Sequence, residues 1–286
     1  MKRLVIAVCL LLGTLLIIAL AGCGSEPPFE TITGDRMIEQ AEPGFGNYIL
    51  PAVEPAKISV YSTELTFVVD GTELSRGVDI YYPPRFAFRA PKPTVFGGNG
   101  SRRWTANVTW AMATAEAGLV AVVTDVMFEE REVYETQINT LLERAEEFFI
   151  DVDRLAFWTS GHGATLPLTM VMREEFPWRR GVRAMVCESS VMQVGEELFV
   201  FDPEQMHATF PILLATAEQD SFYEVRRSAE LFVETSSSIG IDVTWQTCPG
   251  IRHHWMHVDG DPAMVPVDEG ALQLAREEID FVQRHL

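Results

Sequence analysis

The feature that most constrains the fold is an abrupt change of composition at residues 153–164. The apolar run Leu155–Trp158 is followed by Thr159-Ser160-Gly161-His162-Gly163-Ala164, and an apolar segment long enough for a helix comes next. A strand that turns sharply into a helix needs small residues at the turn, because the chain passes close to itself there. The sequence therefore predicts a strand–turn–helix unit whose tight turn can project a nucleophilic side chain above the edge of a sheet.

Apolar strands and helical segments alternate along most of the chain. Strands are predicted at 58–61, 65–69, 78–82, 94–96, 119–124, 155–158, 182–186, 212–215 and 243–247, and helices at 133–150, 222–238 and 271–286, among others. This alternation predicts an α/β fold with a mostly parallel central sheet and helices on both faces. With 286 residues and 47% apolar content, the chain is long enough to bury one full core.

A glycine-rich loop follows the strand that ends at Phe96. Ligands bind parallel sheets at the carboxyl ends of the strands, so the loops after the strands hold the candidate site. Three glycines within Gly97-Gly98-Asn99-Gly100 allow backbone N–H groups to point at an anion, as in a loop that stabilises an oxyanion. A plain flexible turn is an equally good interpretation of these four residues.

Two later loops carry a carboxylate and a group of histidines. Asp220 follows the strand at 212–215, where a carboxylate can orient a histidine or cap the next helix. His253, His254 and His257 are half of the six histidines and lie within five positions. They are interpreted as a catalytic base on a loop, with a metal site or surface histidines as alternatives. Their spacing matches no familiar set of zinc ligands, so no metal and no cofactor is predicted.

The first residues predict an export signal. Lys2 and Arg3 precede an apolar run from Leu4 to Leu20, which ends in Leu20-Ala21-Gly22-Cys23. This ending resembles the lipobox of bacterial lipoproteins, which implies that residues 1–22 are removed and that Cys23 is acylated. The protein is then expected on a membrane, facing the periplasm or the cell exterior; an uncleaved signal anchor is the alternative. Residues 23–57 predict a tether rich in proline and glycine, and the folded domain is expected at 58–286.

The net charge of −19 and the cysteines set further limits. Such an acidic chain argues against binding to nucleic acid or to anionic lipid. Of the four cysteines, Cys9 lies in the signal and Cys23 is the expected site of lipidation. Cys187 and Cys248 are interpreted as two buried free thiols, with a disulfide as the alternative.

The order of these motifs resembles the α/β-hydrolase superfamily, and within it the branch of esterases and peptidases similar to dienelactone hydrolase. Ile150–Trp158 is similar to the run that leads into the nucleophile turn, Pro211–Asp220 to the segment that bears the acid, and Pro249–His254 to the loop that carries the base. The resemblance covers about Ile58 to Leu286. It implies the α/β-hydrolase fold and a Ser-His-Asp triad with His254, or His253, as the base and Asp220 as the acid.

The nucleophile turn departs from the family pattern, in which a serine lies between small residues. Counting from Arg154 places Gly161 in the nucleophile position, and matching the Gly-His pair places Gly163 there. A strand shorter by one residue places Ser160 there. Some relatives have a larger residue after the nucleophile, and Ser160-Gly161-His162 is compatible with that variant. A glycine in this position would have no atom that can attack a carbonyl.

The sequence thus favours a hydrolase that cleaves an ester, or less readily a lactone or peptide, by acyl transfer to Ser160. Oxyanion and substrate contacts are expected from Gly97, Gly98, Asn99 and Gly161. The expected partners are a small ester-like substrate and, through Cys23, a lipid bilayer. The alternative is an inactive protein of the same fold, with glycine at the nucleophile position, that binds a ligand or a partner.

Overall fold

The computed structural model describes residues 27–42, 48–49, 54–98, 100–125, 130–161, 165–190, 208–218, 223–248, 265–266 and 269–286. The strands are β1 (Ile32–Thr33), β2 (Tyr48–Ile49), β3 (Ser59–Val69), β4 (Thr72–Tyr82), β5 (Lys92–Gly97), β6 (Val120–Thr124), β7 (Ile150–Ser160), β8 (Val182–Glu188), β9 (Ile212–Ala217), β10 (Val243–Cys248) and β11 (Val265–Pro266). The α-helices are α1 (Gly34–Glu39), α2 (Thr105–Glu116), α3 (Arg131–Glu143), α4 (Thr165–Val171), α5 (Tyr223–Ser238) and α6 (Glu269–His285).

Nine strands form one mixed sheet in the order β1-β3-β4-β6-β5-β7-β8-β9-β10. The strands from β6 to β10 in this order pair in parallel. The pairs of β1 with β3, β3 with β4 and β4 with β6 are antiparallel. All the parallel strands therefore end at one side of the sheet, which we call the carboxyl edge, and begin at the opposite side, the amino edge. β2 and β11 form a separate parallel pair.

The first hairpin is longer than the sequence pattern predicts. The predicted strands 58–61 and 65–69 are one continuous strand, β3, which pairs with β4 along its whole length. The polar residues between the two predicted segments are also part of β3. A strand can include them because its side chains alternate between the two faces of the sheet, and the side chains of these polar residues are exposed or half-buried. The predicted turn lies at Asp70-Gly71, where both residues have positive φ, +49° and +76°.

Helices cover both faces of the sheet. On one face, α3, α4 and α5 pack on an apolar cluster that includes Phe157 and Met185. On the other face, α1, α2 and α6 pack on a second cluster that includes Trp158 and Val186. Successive side chains of β7 and β8 point to opposite faces, which explains this division. The predicted mostly parallel sheet with helices on both faces is confirmed. None of the helices within the described ranges is long and apolar enough to cross a bilayer.

The segment at residues 27–42 differs from the predicted tether, because it is docked on the domain. β1 adds an antiparallel strand to β3, and Met37 of α1 is fully buried against the second cluster. The Phe29 ring stacks on Tyr61 with ring centroids 4.0 Å apart. The apolar residues of this segment are spaced too irregularly to predict a helix or a strand. They pack only against residues of the folded domain that are distant along the chain. The docked chain therefore begins well before the expected start at Ile58.

Candidate functional site

Three adjacent strands place small and polar residues together at the carboxyl edge. β5 ends at Gly97, β7 ends at Ser160 and β8 ends at Glu188, and these strands are neighbours in the sheet. The predicted strand–turn–helix unit is present as β7 followed by α4, and the predicted glycine loop follows β5. This edge is where parallel sheets bind ligands, so we take it as the candidate site.

The loop after β5 requires its glycines. A Cβ atom on Gly97 would lie 2.3 Å from the Trp110 ring, and one on Gly100 would lie 2.1 Å from the Trp104 ring. Gly98 and Gly100 also have positive φ, +114° and +74°. Both constraints exclude side chains, so the backbone itself lines this part of the edge. Asn99 lies outside the described residues.

Two arginines fasten the residues that follow the glycine loop. The fully buried Asp79 of β4 pairs with Arg103 Nε at 3.0 Å and with Arg102 Nε at 3.4 Å. Asp125, after β6, accepts hydrogen bonds from the backbone N–H and the guanidinium of Arg102. Burial raises the pKa of Asp79, while Ser62 and the two arginines oppose that rise. The loop after β5 is therefore attached to two neighbouring strands.

Aromatic packing fixes β7 two residues before Ser160. The rings of Trp110 and Trp158 stack with centroids 4.5 Å apart. The Trp158 Nε1–H donates a hydrogen bond of 3.0 Å to Glu278 Oε2 of α6. Burial, opposed by this hydrogen bond, raises the pKa of Glu278 to about 8, so its carboxyl group is largely protonated at neutral pH. The end of β7 is thus held between α2 and α6.

Ser160 and Gly161 differ in backbone conformation at the turn. Ser160 is the last extended residue of β7, and its side chain is 7% exposed. Gly161, the next residue, is buried and has φ of +57°, the left-handed conformation that favours glycine. α4 begins at Thr165. The sharp change of direction between strand and helix therefore starts at Gly161, directly after the serine.

Glu188 is a residue of this site that the sequence analysis missed. It is the Cα partner of Ser160 in the parallel pair of β7 and β8. The residues two positions earlier, Trp158 and Val186, share one face, so Ser160 and Glu188 leave the sheet on that same face. The Glu188 side chain is fully buried. A carboxylate directly after a buried apolar strand is the signal that identifies such a residue.

The turn after β8 is also constrained. Ser189 has φ of +41°, which is uncommon for a residue with a side chain, and it is fully buried. Its backbone N–H donates to the Ala215 carbonyl of β9 at 2.7 Å. The Ser190 hydroxyl donates to the Glu188 carbonyl at 3.2 Å. Hydrogen bonds to β9 and within the turn hold the carboxyl end of β8 beside Ser160.

The described residues include the predicted Ser160, Gly97, Gly98 and Gly161, and the structure brings them to one edge. Several other predicted residues lie outside the described part of the chain, namely Asp220, His253, His254, Asn99 and Cys23. Cys187 is a free, fully buried thiol whose pKa is raised by burial, whereas the Cys248 side chain lies outside the described part. No group of three potential metal-ligating side chains is found within the described ranges.

Comparisons with known proteins rest on structure alone, because no family model and no curated protein matches the sequence. The structure of esterase Est22 matches with a TM-score of 0.61 at 12% identity, over 93% of this chain and 96% of Est22. Thermogutta terrifontis esterase 2, phosphorylated by paraoxon, gives 0.58 at 17% identity, over 77% and 95%.

A peptidase shares the same fold. Porphyromonas gingivalis dipeptidyl peptidase 4 matches with a TM-score of 0.56 at 13% identity, over 79% of this chain but 35% of the peptidase. This chain therefore spans about a third of that protein. The similar structures are esterases and dipeptidyl peptidases, and the expected fold is confirmed. The chain has the α/β-hydrolase fold.

Proposed function

We propose that the protein is a membrane-anchored serine hydrolase that cleaves an ester, or less readily a lactone or peptide, by acyl transfer. The observation that carries this proposal is the position of Ser160, a buried hydroxyl at the carboxyl end of a central strand, beside a glycine loop and a buried carboxylate. The esterases among the similar structures support it. Membership of the dienelactone-hydrolase-like branch is part of the same proposal.

The proposed reaction has two steps. In the first, Ser160 Oγ attacks the carbonyl carbon of the ester while His254, or His253, takes its proton and then returns it to the departing alcohol. Backbone N–H groups near Gly98 and Asn99 stabilise the negative oxygen of the tetrahedral intermediate. In the second step the same base activates a water, which cleaves the acyl-enzyme and releases the acid. Asp220 orients the imidazole and stabilises its charged form.

The contacts that hold the loop after β5 support its proposed role in stabilising the oxyanion. An oxyanion site lowers the barrier because its donors are already in place, so movement of the loop would weaken it. Asp79 and Asp125 fasten Arg102 directly after the glycines. Trp158 fixes β7 just before the serine. These contacts fit a site that is rigid before substrate binds.

The anchor is the second part of the proposal. Acylation of Cys23 would hold the protein on a membrane, facing the periplasm or the cell exterior. The wild-type protein should partition into membranes and carry lipid on Cys23, and Cys23→Ser should block processing or release the chain. A wild-type protein that stays soluble and unlipidated in its native host would contradict the anchor.

A fluorophosphonate probe tests the catalytic proposal. It should label the full chain at Ser160, and Ser160→Ala should abolish both labelling and the hydrolysis of short-chain aryl esters, because removing one triad member costs on the order of 10⁴-fold in turnover. His254→Ala should have a similar effect, His257→Ala a much smaller one, and Asp220→Asn should weaken labelling. Ser190→Ala is the matched control, since Ser190 is another buried serine at the same edge. Loss of activity on chelation with recovery on adding zinc would favour a metal site instead.

A second candidate function has one specific observation in its favour. Among the described residues of the turn after β7, Gly161 has a left-handed backbone, so the apex carries no side chain if Gly161 is the nucleophile position. The protein would then bind a ligand or a partner without chemistry. A folded wild-type protein that never labels, together with weak activity in Gly161→Ser or Gly163→Ser, would select this alternative.

A further inference from the structure

The docked N-terminal segment, residues 27–42, connects an aromatic cluster to the chain that follows the glycine loop. The aromatic cluster includes the Phe88 ring and the rings that contact it, those of Phe29, Tyr82, Phe86 and Phe149. After Phe29 the segment passes through β1 and α1, and α1 buries Met37 against the second cluster of the core. The segment then reaches Glu42, which lies beside Trp104, shortly after the glycine loop.

The backbone of Glu42 pairs with the chain on both sides of Trp104. The Glu42 N–H donates to the Arg103 carbonyl at 2.8 Å, and the Glu42 carbonyl accepts from the Thr105 N–H at 3.0 Å. Thr105 is the first residue of α2, and the first N–H groups of a helix have no acceptor within that helix. Trp104, at the N-cap position, has no side-chain oxygen to accept them. The N-terminal segment therefore supplies an acceptor that α2 needs.

The Arg103 side chain makes a second connection between the segment and the domain. Its guanidinium donates to Gln40 Oε1 at 2.8 Å and to Met37 Sδ at 3.2 Å. The same group donates to Ser62 Oγ of β3 at 2.8 Å and pairs with the buried Asp79 of β4 at 3.0 Å. One half-buried cation thus joins the N-terminal segment to two strands of the sheet.

The Trp104 ring links these contacts to the glycine loop. It lies so close to Gly100 that a Cβ atom there would be 2.1 Å from a ring carbon. Between the two residues, the Asn107 side chain donates to the Ser101 carbonyl at 2.7 Å. Because Glu42 holds the backbone around Trp104, it also holds the ring that limits the position of Gly100. Displacement of the segment would therefore loosen the glycine loop.

We propose that residues 37–42 are a positioning element of the oxyanion site, and that the activity of the site depends on their docking. This inference rests on the proposed function and adds a means of regulating it. The donors of an oxyanion site are effective because they are in place before charge develops, so a loop that loses its support loses turnover rather than substrate affinity. An event that undocks the segment, which leads in the sequence towards Cys23, lowers turnover.

Hydrogen exchange of the full chain tests the attachment without needing activity. Glu42→Pro removes the N–H that donates to the Arg103 carbonyl. Amides in a peptide that covers residues 97–105 should then exchange on the order of tenfold faster, while those of β9 exchange as in the wild type. Glu42→Ala is the matched control, because it keeps the N–H and changes only an exposed side chain. Unchanged exchange at 97–105 in Glu42→Pro would overturn the proposal.

Turnover per folded molecule tests the consequence for the site. Glu42→Pro should lower kcat for a short-chain aryl ester about ten- to a hundredfold and leave KM within about twofold, because the lost support acts in the transition state. Gln40→Ala removes one side-chain contact of Arg103 and should lower kcat by a smaller factor. Arg36→Ala, at an exposed position of α1, is the control and should keep the wild-type kcat and KM.

The two measurements together separate this inference from the proposed function. An active wild type whose kcat is unchanged in Glu42→Pro, despite faster exchange at 97–105, would overturn the positioning role and leave the hydrolase proposal standing. A rise of KM at constant kcat would do the same. A wild-type protein without turnover would contradict the hydrolase proposal, and with it the dependence of activity on docking. The exchange of residues 97–105 would still decide whether the segment holds the loop.

Discussion

At the amino edge of the sheet two residues with left-handed backbone, Phe88 and Phe149, carry aromatic rings, whereas at the carboxyl edge Ser189 carries a hydroxyl and Gly161 carries no side chain. Phe88 and Phe149 have φ of +47° and +57°, and their rings meet at 5.4 Å in an edge-to-face contact. Ser189 and Gly161 have φ of +41° and +57°. The same left-handed backbone occurs at both edges, but the side chains that it positions are different.

The two edges differ in what offsets the free-energy cost of a left-handed residue that has a side chain. A left-handed residue with a side chain costs on the order of 1 to 3 kcal/mol, and a buried aromatic ring returns more than that through packing. Ser189 has no ring to bury, and beside it the sheet buries the Glu188 carboxylate and the Ser160 hydroxyl. Burial of polar groups favours stability little, so their concentration at one edge points to function.

The largest expected effect is on stability at the amino edge. Phe88→Ala should lower the free energy of unfolding by about 3 to 5 kcal/mol, because it removes a buried ring from the centre of the aromatic cluster. Urea unfolding followed by tryptophan fluorescence measures this change. Val68→Ala, at a 58% exposed position, should change stability by less than about 0.5 kcal/mol. Esterase turnover per folded molecule should stay the same, and a selective loss of turnover would break the comparison.

Glu278 gives a pH-dependent effect of almost the same size. Its pKa is about 8 in the folded protein against an ordinary value of 4.5, so the folded state binds more protons between these limits. Its contribution to stability is therefore complete below about pH 4.5 and is lost as the pH rises towards 8, at roughly 1.4 kcal/mol per pH unit. Glu278→Gln should remove this slope and be the more stable protein at pH 8.

The neighbouring carboxylate is the control for Glu278. Glu277 lies on the same helix, and hydrogen bonds from Gln246 and Gln273 lower its pKa. Glu277→Gln should leave the wild-type slope between pH 5 and pH 8 in place. Unfolding curves at several pH values distinguish the two variants. A Glu278→Gln protein with the wild-type slope would show that this carboxyl group is ionised in the fold.

Glu188→Gln should separate function from stability at the carboxyl edge. The substitution keeps the shape but replaces the carboxyl group beside Ser160 with an amide, so we expect turnover to fall about ten- to a hundredfold with stability unchanged or raised. Glu218→Gln is the matched control, since Glu218 directly follows β9 at the same edge and is exposed. Initial rates on an aryl ester and urea unfolding measure the two quantities. Unchanged turnover in Glu188→Gln would make this buried carboxylate a structural group.

The sequence predicted the sheet better than it predicted this edge, for a physical reason. Alternation of apolar strands with helices is a local pattern, and it identified β5 to β10 and the order of motifs. Glu188 was missed because its importance comes from its neighbour Ser160, which lies 28 residues away along the chain and beside it in the sheet. Residues 27–42 lie within the predicted tether, 23–57, because Phe29 and Met37 are buried only by residues distant along the chain, which the local sequence does not show.

The sequence pattern also could not decide between Ser160 and Gly161 as the nucleophile position. The pattern of small residues predicted a tight turn at 159–164, and β7 followed by α4 has that form. The pattern left three registers open, because glycine and serine both satisfy a preference for small side chains. Only the backbone angles distinguish an extended Ser160 from a left-handed Gly161. Chemistry at this turn depends on that difference of one position.

The smallest expected effect is also the one that decides between Ser160 and Gly161. Gly161→Ala should lower the free energy of unfolding by about 1 kcal/mol, because alanine adopts a left-handed backbone poorly. Gly71→Ala in the hairpin turn is the matched control: Gly71 also has positive φ, and a Cβ there would meet nothing within 4 Å, so its cost is that of the backbone alone. If both variants lose the same free energy in urea unfolding, the apex has room for a side chain and Gly161 can be the nucleophile position of an inactive protein. If Gly161→Ala costs several kcal/mol more, the apex is closed to any side chain, and Ser160 is left as the hydroxyl that can attack.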